Sequence, residues 1–182
     1  MITLKRVTAI ISNPLAYLNE VREQPLKDDV LFFIAVLIIG SIVYLEFAIL
    51  HSLIAGQIGM LSPVGIVVMA ITFMGMFVMS GLPFVLVISL VEHFFVLFTD
   101  DHRDFEKTMK SVIYASVLPV LFVWTIYNVQ YSALVLAAAF LVVTYIGIRT
   151  FHEVTKDRAA FVAIFTTGFI IYMLVLGKVN FF

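Results

Sequence analysis

Apolar residues run through this chain in blocks far longer than a soluble core requires, at roughly 30–54, 64–98, 111–127, 131–148 and 159–177. A helix needs about 20 predominantly apolar residues to cross a bilayer. The pattern therefore predicts an all-α fold, a polytopic membrane bundle of five transmembrane helices. The second block, 35 residues long, would measure about 52 Å as one helix, against a hydrocarbon core of about 30 Å. It is either one overlong helix or two short ones, and Pro83 in "SGLPF" (80–84) supplies a kink by removing a donor and crowding the preceding turn. Ahead of the first block, Ile2, Val7, Ile10 and Ile11 are interspersed with Lys5 and Arg6. Asn13 and Pro14 form a helix start, with a capping side chain followed by proline at the first helical position. In "PLAYLNEVREQ", Leu15, Leu18 and Val21 share one face, as expected of a short amphipathic interfacial helix. The chain thus divides into a cytoplasmic amphipathic segment, 1–28, and a membrane domain, 29–182.

The charged positions between the blocks choose between five spans and six. With five, one side of the membrane receives Lys5, Arg6, Arg22, Lys27, Arg103, Lys107, Lys110, Arg149, Lys156 and Arg158, and the other receives only Lys178. The turns "AGQIGMLS" and "NVQYS" carry no charge. Basic residues stay in the cytoplasm, so the amino terminus is expected inside and the carboxyl terminus outside. Splitting the second block would send Arg103, Lys107 and Lys110 outward. The second block then reads as one helix whose "FFVLF" end projects below the membrane, with the amino-terminal segment and the 149–158 loop as its candidate cover.

Composition narrows the functional classes. The chain is 63% hydrophobic and 13% charged, with a mean hydropathy of +1.12, whereas soluble domains are about 45–50% apolar and about 25% charged. Short polar connections leave no room for a soluble catalytic domain, so function is expected in the bilayer or in its loops. There is no cysteine, which excludes disulfides and thiolate chemistry. The amino terminus has neither the uninterrupted apolar core nor the small-residue cleavage site of a signal peptide. The basic residues are balanced by acids, and no phosphate-binding glycine loop is present, so nucleic acid is not an expected partner. The expected partners are membrane lipids, another membrane protein or a second copy of the chain.

Carboxylates inside apolar blocks are functional candidates by default, since one at mid-membrane costs on the order of 2.5–3.5 kcal/mol on the insertion scale. Glu46 and Glu92 are the two here, with His51 and His93 near them. They lie toward opposite faces. A proton or ion path between them is one reading, and interfacial hydrogen bonding of each to a neighbouring helix is the preferred one. Glu92 and His93 are expected where the second helix leaves the membrane, facing the "DDHRD" and "FHEV" loops in one polar floor. Glu92, His93, Asp100, Asp101, His102, His152 and Glu153 combine imidazole with carboxylate, a donor set suited to zinc. Their spacing lacks a sharp ligand signature, and adjacent helical residues point about 100° apart. A salt-bridged loop cluster with Arg103, Lys107, Arg149 or Arg158 is preferred, with no metal, cofactor or catalytic residue expected. Pro119 is read as a wedge in the third span, with Ser111 and Ser116 satisfying the carbonyls it frees. Gly147 and Ala137 to Ala139 are read as sites of close helix approach, and Met69, Met76 and Met79 as gap-filling core. Thr155 and Arg158 mark a helix break and a fresh start.

Three landmarks occur in order around the five blocks: "ISNPLAYLNEVREQP", "DFEKTMKSVIYASVLPVLF" and "GIRTFHEVTKDRAAFVAI". Together they resemble the Yip family, the Ypt/Rab-interacting five-span membrane proteins. The match rests on Asn13 and Pro14 before the first span and on Tyr114 and Pro119 in the third. It is completed by Gly147, Arg149, His152, Thr155, Arg158 and Ala159 in a loop of the form G-[LI]-[KR]-x-x-H-x-x-[ST]-x-x-[RK]-A. The resemblance implies a non-enzymatic scaffold or adaptor that works through membrane-embedded contacts. Eukaryotic members carry a long cytoplasmic amino-terminal domain with an acidic "DLYGP" type motif, and nothing like it stands ahead of "QPLKDDV" here, so binding of prenylated Rab GTPases does not carry over. The likeness is to the short prokaryotic members, which implies a prokaryotic cell membrane. The rival reading is a small proton- or ion-coupled transporter component using Glu46 and Glu92, and a weaker one is a membrane enzyme with a cytoplasmic-side metal.

Overall fold

The structure is a computed structural model that describes residues 2–54, 62–99, 104–129 and 131–180, and the described chain is entirely helical. Two short helices, α1 (Ile2–Ser12) and α2 (Pro14–Val21), precede α3 (Leu26–Ile54), α4 (Pro63–Val96), α5 (Phe105–Phe122), the single turn α6 (Thr125–Asn128), α7 (Ser132–Phe151) and α8 (Lys156–Asn180). Three of the helix starts carry a side-chain cap. The Asn13 side chain accepts from the Ala16 amide at 3.1 Å with Pro14 next in line. Ser62 accepts from Gly65 N at 3.1 Å, and Asp104 from Glu106 N at 3.0 Å. These are side-chain caps on the unsatisfied first-turn donors. Between α7 and α8 the chain breaks at His152 to Thr155, where Glu153 adopts a left-handed φ of 56°.

Four of the apolar blocks fall on one long helix each, and the third, 111–127, covers most of α5, a turn and the start of α6. Among the described residues α3, α4 and α7 are long and apolar enough to cross a membrane. α5 is more polar, with Glu106, Lys107 and Lys110 in its first half. Its position explains its composition: Thr108 and every residue from Lys110 to Val117 are buried, and α3, α4 and α7 pack around it. A helix shielded from lipid on all sides needs no apolar outer face. α4 is the converse, exposing Val67, Val68, Ile71, Leu86, Val87 and Leu90 on its outer surface. It runs through Pro83 without a break, and Pro83 itself is exposed.

Met69, Met76 and Met79, read from sequence as core filling, are 40%, 67% and 74% exposed. In a bilayer the outward face is as apolar as the inward one, so an apolar stripe does not mark burial. Ser111 and Ser116 do not repair the carbonyls near Pro119, since neither hydroxyl has a hydrogen-bond partner among the described residues. Ser111 is turned instead toward Glu92 and Gly147. The close-approach reading of Gly147 holds: a Cβ there would lie 2.7 Å from Ser111 Oγ and 3.3 Å from Ser111 Cα.

The amino-terminal helices form a lid on one end of the bundle. Ile10, Leu18 and Val21 are buried in the same core as Phe32, Phe33, Tyr114 and Phe151, while Leu15 is 50% exposed and Tyr17 takes the inward place expected for it. Arg6 lies over the Phe32 ring at 5.5 Å. The lid does not cover the end of α4. Phe95 packs on Phe161 and Phe165 of α8, with centroids at 6.3 and 5.4 Å, and Phe94 and Phe98 stay exposed.

Candidate functional site

Chain direction brings the start of α3, the end of α4, the start of α5, the end of α7 and the start of α8 to one end of the bundle, under the α1–α2 lid. The buried polar groups of these ends form a continuous layer with two halves.

The first half is organised by Lys110. Its Nζ donates to the backbone carbonyls of Arg22, at 3.2 Å, and of Gln24. It also stands 3.7 Å from Glu106 Oε1 and 4.0 Å from Asp29 Oδ2. Asp29 is fully buried, and its Oδ1 accepts from the Tyr114 hydroxyl. Glu106 Oε1 accepts from the Leu26 amide at 3.2 Å and so caps α3 from a different helix. Tyr17 of the lid meets Tyr114 edge-on, with ring centroids at 5.7 Å. Burial pushes the Tyr17 hydroxyl above its ordinary value, partly offset by Arg6. One ammonium therefore holds the α2–α3 link, the first turn of α3 and α5 together. Charge-assisted hydrogen bonds of this kind are roughly twice as strong as neutral ones.

The second half is built on α4. The Thr108 hydroxyl lies 3.0 Å from His93 Nδ1 and 3.1 Å from His152 Nε2. A hydroxyl both donates and accepts, so one threonine bridges two imidazoles and joins the ends of α4 and α7 through α5. Glu92 is fully buried beside it. Ser111 is the side chain that faces its carboxyl, and neither carboxyl oxygen has a hydrogen-bond partner among the described residues. Two outer ties close the layer: Arg22 pairs with Glu153 across the lid, and Arg158 Nη1 donates to the Thr99 carbonyl at 2.6 Å.

The structure therefore brings together Glu92, His93, Tyr114, Gly147 and His152, with Arg158 and Glu153 at the rim. Asp100, Asp101, His102 and Arg103 lie outside the described residues. Among the described residues no three His, Asp or Glu side chains gather as metal ligands; the two histidines share a threonine, and Glu153 is turned to Arg22. Arg149 is exposed, Asn13 serves as a helix cap, and Pro119 lines a cavity farther along the bundle. Glu46 is exposed and stands apart. Gly81 touches Leu37, and Tyr44 stacks on Phe73 at 5.2 Å, which fixes the register of α3 against α4. Glu92 lies eleven residues beyond that contact toward one end and Glu46 nine toward the other, so they stand roughly 30 Å apart along the bundle at about 1.5 Å per residue.

Sequence reasoning missed Asp29 and Lys110 as site residues. A signal was present for Asp29, which falls in helical register with the buried stripe Phe32, Phe33, Val36 and Gly40. No such signal marks Lys110, whose role depends on backbone carbonyls about 86 residues away in sequence.

Comparison with known proteins bears on this arrangement. No curated protein and no solved structure matches the chain. The family model described as the Yip1 domain matches residues 8–177, a span that takes in the lid from Thr8 onward, every residue of the polar layer and nearly all of α8. An integral membrane bundle matched from its amino-terminal lid to its last helix is a member of a family and not a carrier of one of its motifs: the chain belongs to the Yip family.

Proposed function

We propose that this chain is a non-catalytic scaffold or adaptor of the Yip type, a five-span protein of a prokaryotic cell membrane. In this reading residues 1–28 form a cytoplasmic segment, and residues 29–182 form the membrane domain, whose carboxyl terminus lies outside. It organises its membrane through embedded contacts with proteins or lipids. The observation that carries the reading is the distribution of polarity. The buried titratable groups Asp29, Glu92, Lys110 and His152 gather at one end, and the long outer faces of α3 and α4 are apolar. The gathering of Lys and Arg in the segments at that end, against Lys178 alone toward the other, supports its cytoplasmic placement, since the rule counts basic residues and not net charge. Such a layer fixes helix ends against one another and presents a defined loop surface. A proton path would need titratable groups spread through the membrane depth, whereas among the described residues the buried ones stand at one end.

In the link between α7 and α8 Phe151 is buried and Lys156, the first residue of α8, is exposed, which makes Lys156 the place for a crosslinking probe. Photo-crosslinking from that position in native membranes should capture one protein reproducibly, and capture of lipid alone would count against the adaptor reading.

A second reading, a proton- or ion-coupled transporter component, is favoured by the carboxyl of Glu92, which has no hydrogen-bond partner among the described residues. Glu92→Gln separates the two. Under the adaptor reading the variant keeps fold and captured partner, whereas loss of proteoliposome flux with the fold intact would support a transporter.

A further inference from the structure

Beyond the polar layer, toward the opposite end of the bundle, the helices enclose a cavity of about 370 Å³. Ser116 and Pro119 of α5 form its wall, Ala137 and Phe140 of α7 and Thr167 of α8 its sides, and Phe84 of α4 its rim. The void follows from small and ring-constrained residues, since Gly81, Ala133, Ala137 and Pro119 all face it. α4 and α8 meet through Phe95, Phe161 and Phe165 near the polar layer. The cavity lies farther along, where Ser80 and Phe84 are exposed on α4 and Ile170 is half-buried on α8.

We infer that this cavity is a binding site for one acyl chain of a membrane phospholipid, which enters sideways from the bilayer between α4 and α8. On α4, next in sequence or one turn from the lining residues Phe77, Ser80 and Phe84, Met76, Met79 and Val87 are 67%, 74% and 51% exposed, so the surface of the bundle on this helix faces hydrocarbon. Among the described residues no charged side chain lines the cavity, which leaves nothing there to recognise a headgroup. The polar side chains of the lining are the hydroxyls of Ser80, Ser116 and Thr167; Ser80 is bonded to the Phe77 carbonyl, which leaves Ser116 and Thr167, enough to hold a single water at two to four polar partners each but not to fill the cavity with water. An empty cavity open to liquid hydrocarbon forfeits dispersion contacts on every wall. Shape matches the ligand as well as chemistry. The lining runs from Phe77 to Phe84 along α4, roughly 10 Å of helix at about 1.5 Å per residue. The volume holds on the order of a dozen groups at about 30 Å³ each, the proportions of a length of chain. The site depends on the membrane placement of α4 and α7 and not on the adaptor reading.

The test uses the full chain in dioleoyl phosphatidylcholine vesicles doped with a phospholipid carrying a photoactivatable diazirine midway along one acyl chain. After irradiation, labelled residues are mapped by mass spectrometry. Label is expected on Ser116, Leu136 and Phe140, buried wall positions that surrounding lipid does not touch, as well as on outward Met76 and Met79. Ala137→Phe fills the cavity and should lower the wall label at least fivefold while leaving the outward label unchanged. Ala138→Phe, on the exposed face of the same helix, should change neither. If Ala137→Phe does not fold, Ala137→Leu replaces it, with the same expectation. Label confined to outward residues, wall label indifferent to the filling variant, or wall crosslinks joining two copies of the chain would each overturn the inference. None of these outcomes touches the Lys156 capture experiment, so the two readings fail separately.

Discussion

Lys110→Met tests the first half of the polar layer. Methionine keeps the length of the side chain and removes the ammonium. The carbonyls of Arg22 and Gln24 then lose their charged donor, Glu106 loses its i, i+4 partner, and buried Asp29 loses its nearest cation. Removing one member of a buried ion pair costs about 3–5 kcal/mol. The 4.0 Å separation from Asp29 and the hydrogen bond Asp29 keeps from Tyr114 place the expected loss near the lower bound, about 3 kcal/mol. Asp29→Asn removes the opposite charge. Because the two sites interact, the double variant should lose less than the sum of the singles by about 1–2 kcal/mol, within the range for contacting residues. Trp124 is the only tryptophan and stacks on Phe47, with centroids 3.8 Å apart, at the far end of the bundle, so its fluorescence during denaturant unfolding in mild detergent reports on the whole domain. A Lys110→Met loss below about 1 kcal/mol, or additivity within about 0.5 kcal/mol, would refute the reasoning.

Thr108→Val deletes the hydroxyl between His93 and His152 while keeping the shape; it should cost about 1–3 kcal/mol for the imidazole contacts left unmade, and Thr108→Ser should restore most of it. Gly147→Leu drives a side chain into Ser111 and should destabilise by about 1–3 kcal/mol or more through overpacking. By contrast Gly75→Ala, where a Cβ meets nothing within 4 Å, should be neutral or stabilise by up to about 1 kcal/mol through helix propensity; the same unfolding assay reads all four.

The helices were legible in the sequence because length and apolar content are local properties. Each of the five blocks carries a long helix, the third ending early at Phe122 before the single turn α6, and Asn13, Pro14 and the break before Lys156 stand where their chemistry requires. The inside of the bundle was less legible. Hydrophobicity marks burial when the solvent is water, but here it misassigned Met69, Met76 and Met79, while the most buried helix, α5, is the one that carries Lys110 and three serines or threonines in its buried run. Glu92 and His93 drew attention as charges in an apolar block. Their partners did not, because the serine, threonine and glycine that face them are unremarkable until α5 and α7 are packed together.

Because the chain has no cysteine, single cysteines can be introduced to find which side of the membrane each end of the bundle faces. Glu23 and Asp157 are exposed beside the polar layer, and Ser62 and Tyr131 are exposed at the opposite helix ends. In intact cells a membrane-impermeant maleimide should label Ser62→Cys and Tyr131→Cys at once and should reach Glu23→Cys and Asp157→Cys only after lysis. Labelling of the polar-layer positions from outside, or of all four positions alike, would contradict a cytoplasmic polar layer on a five-span bundle.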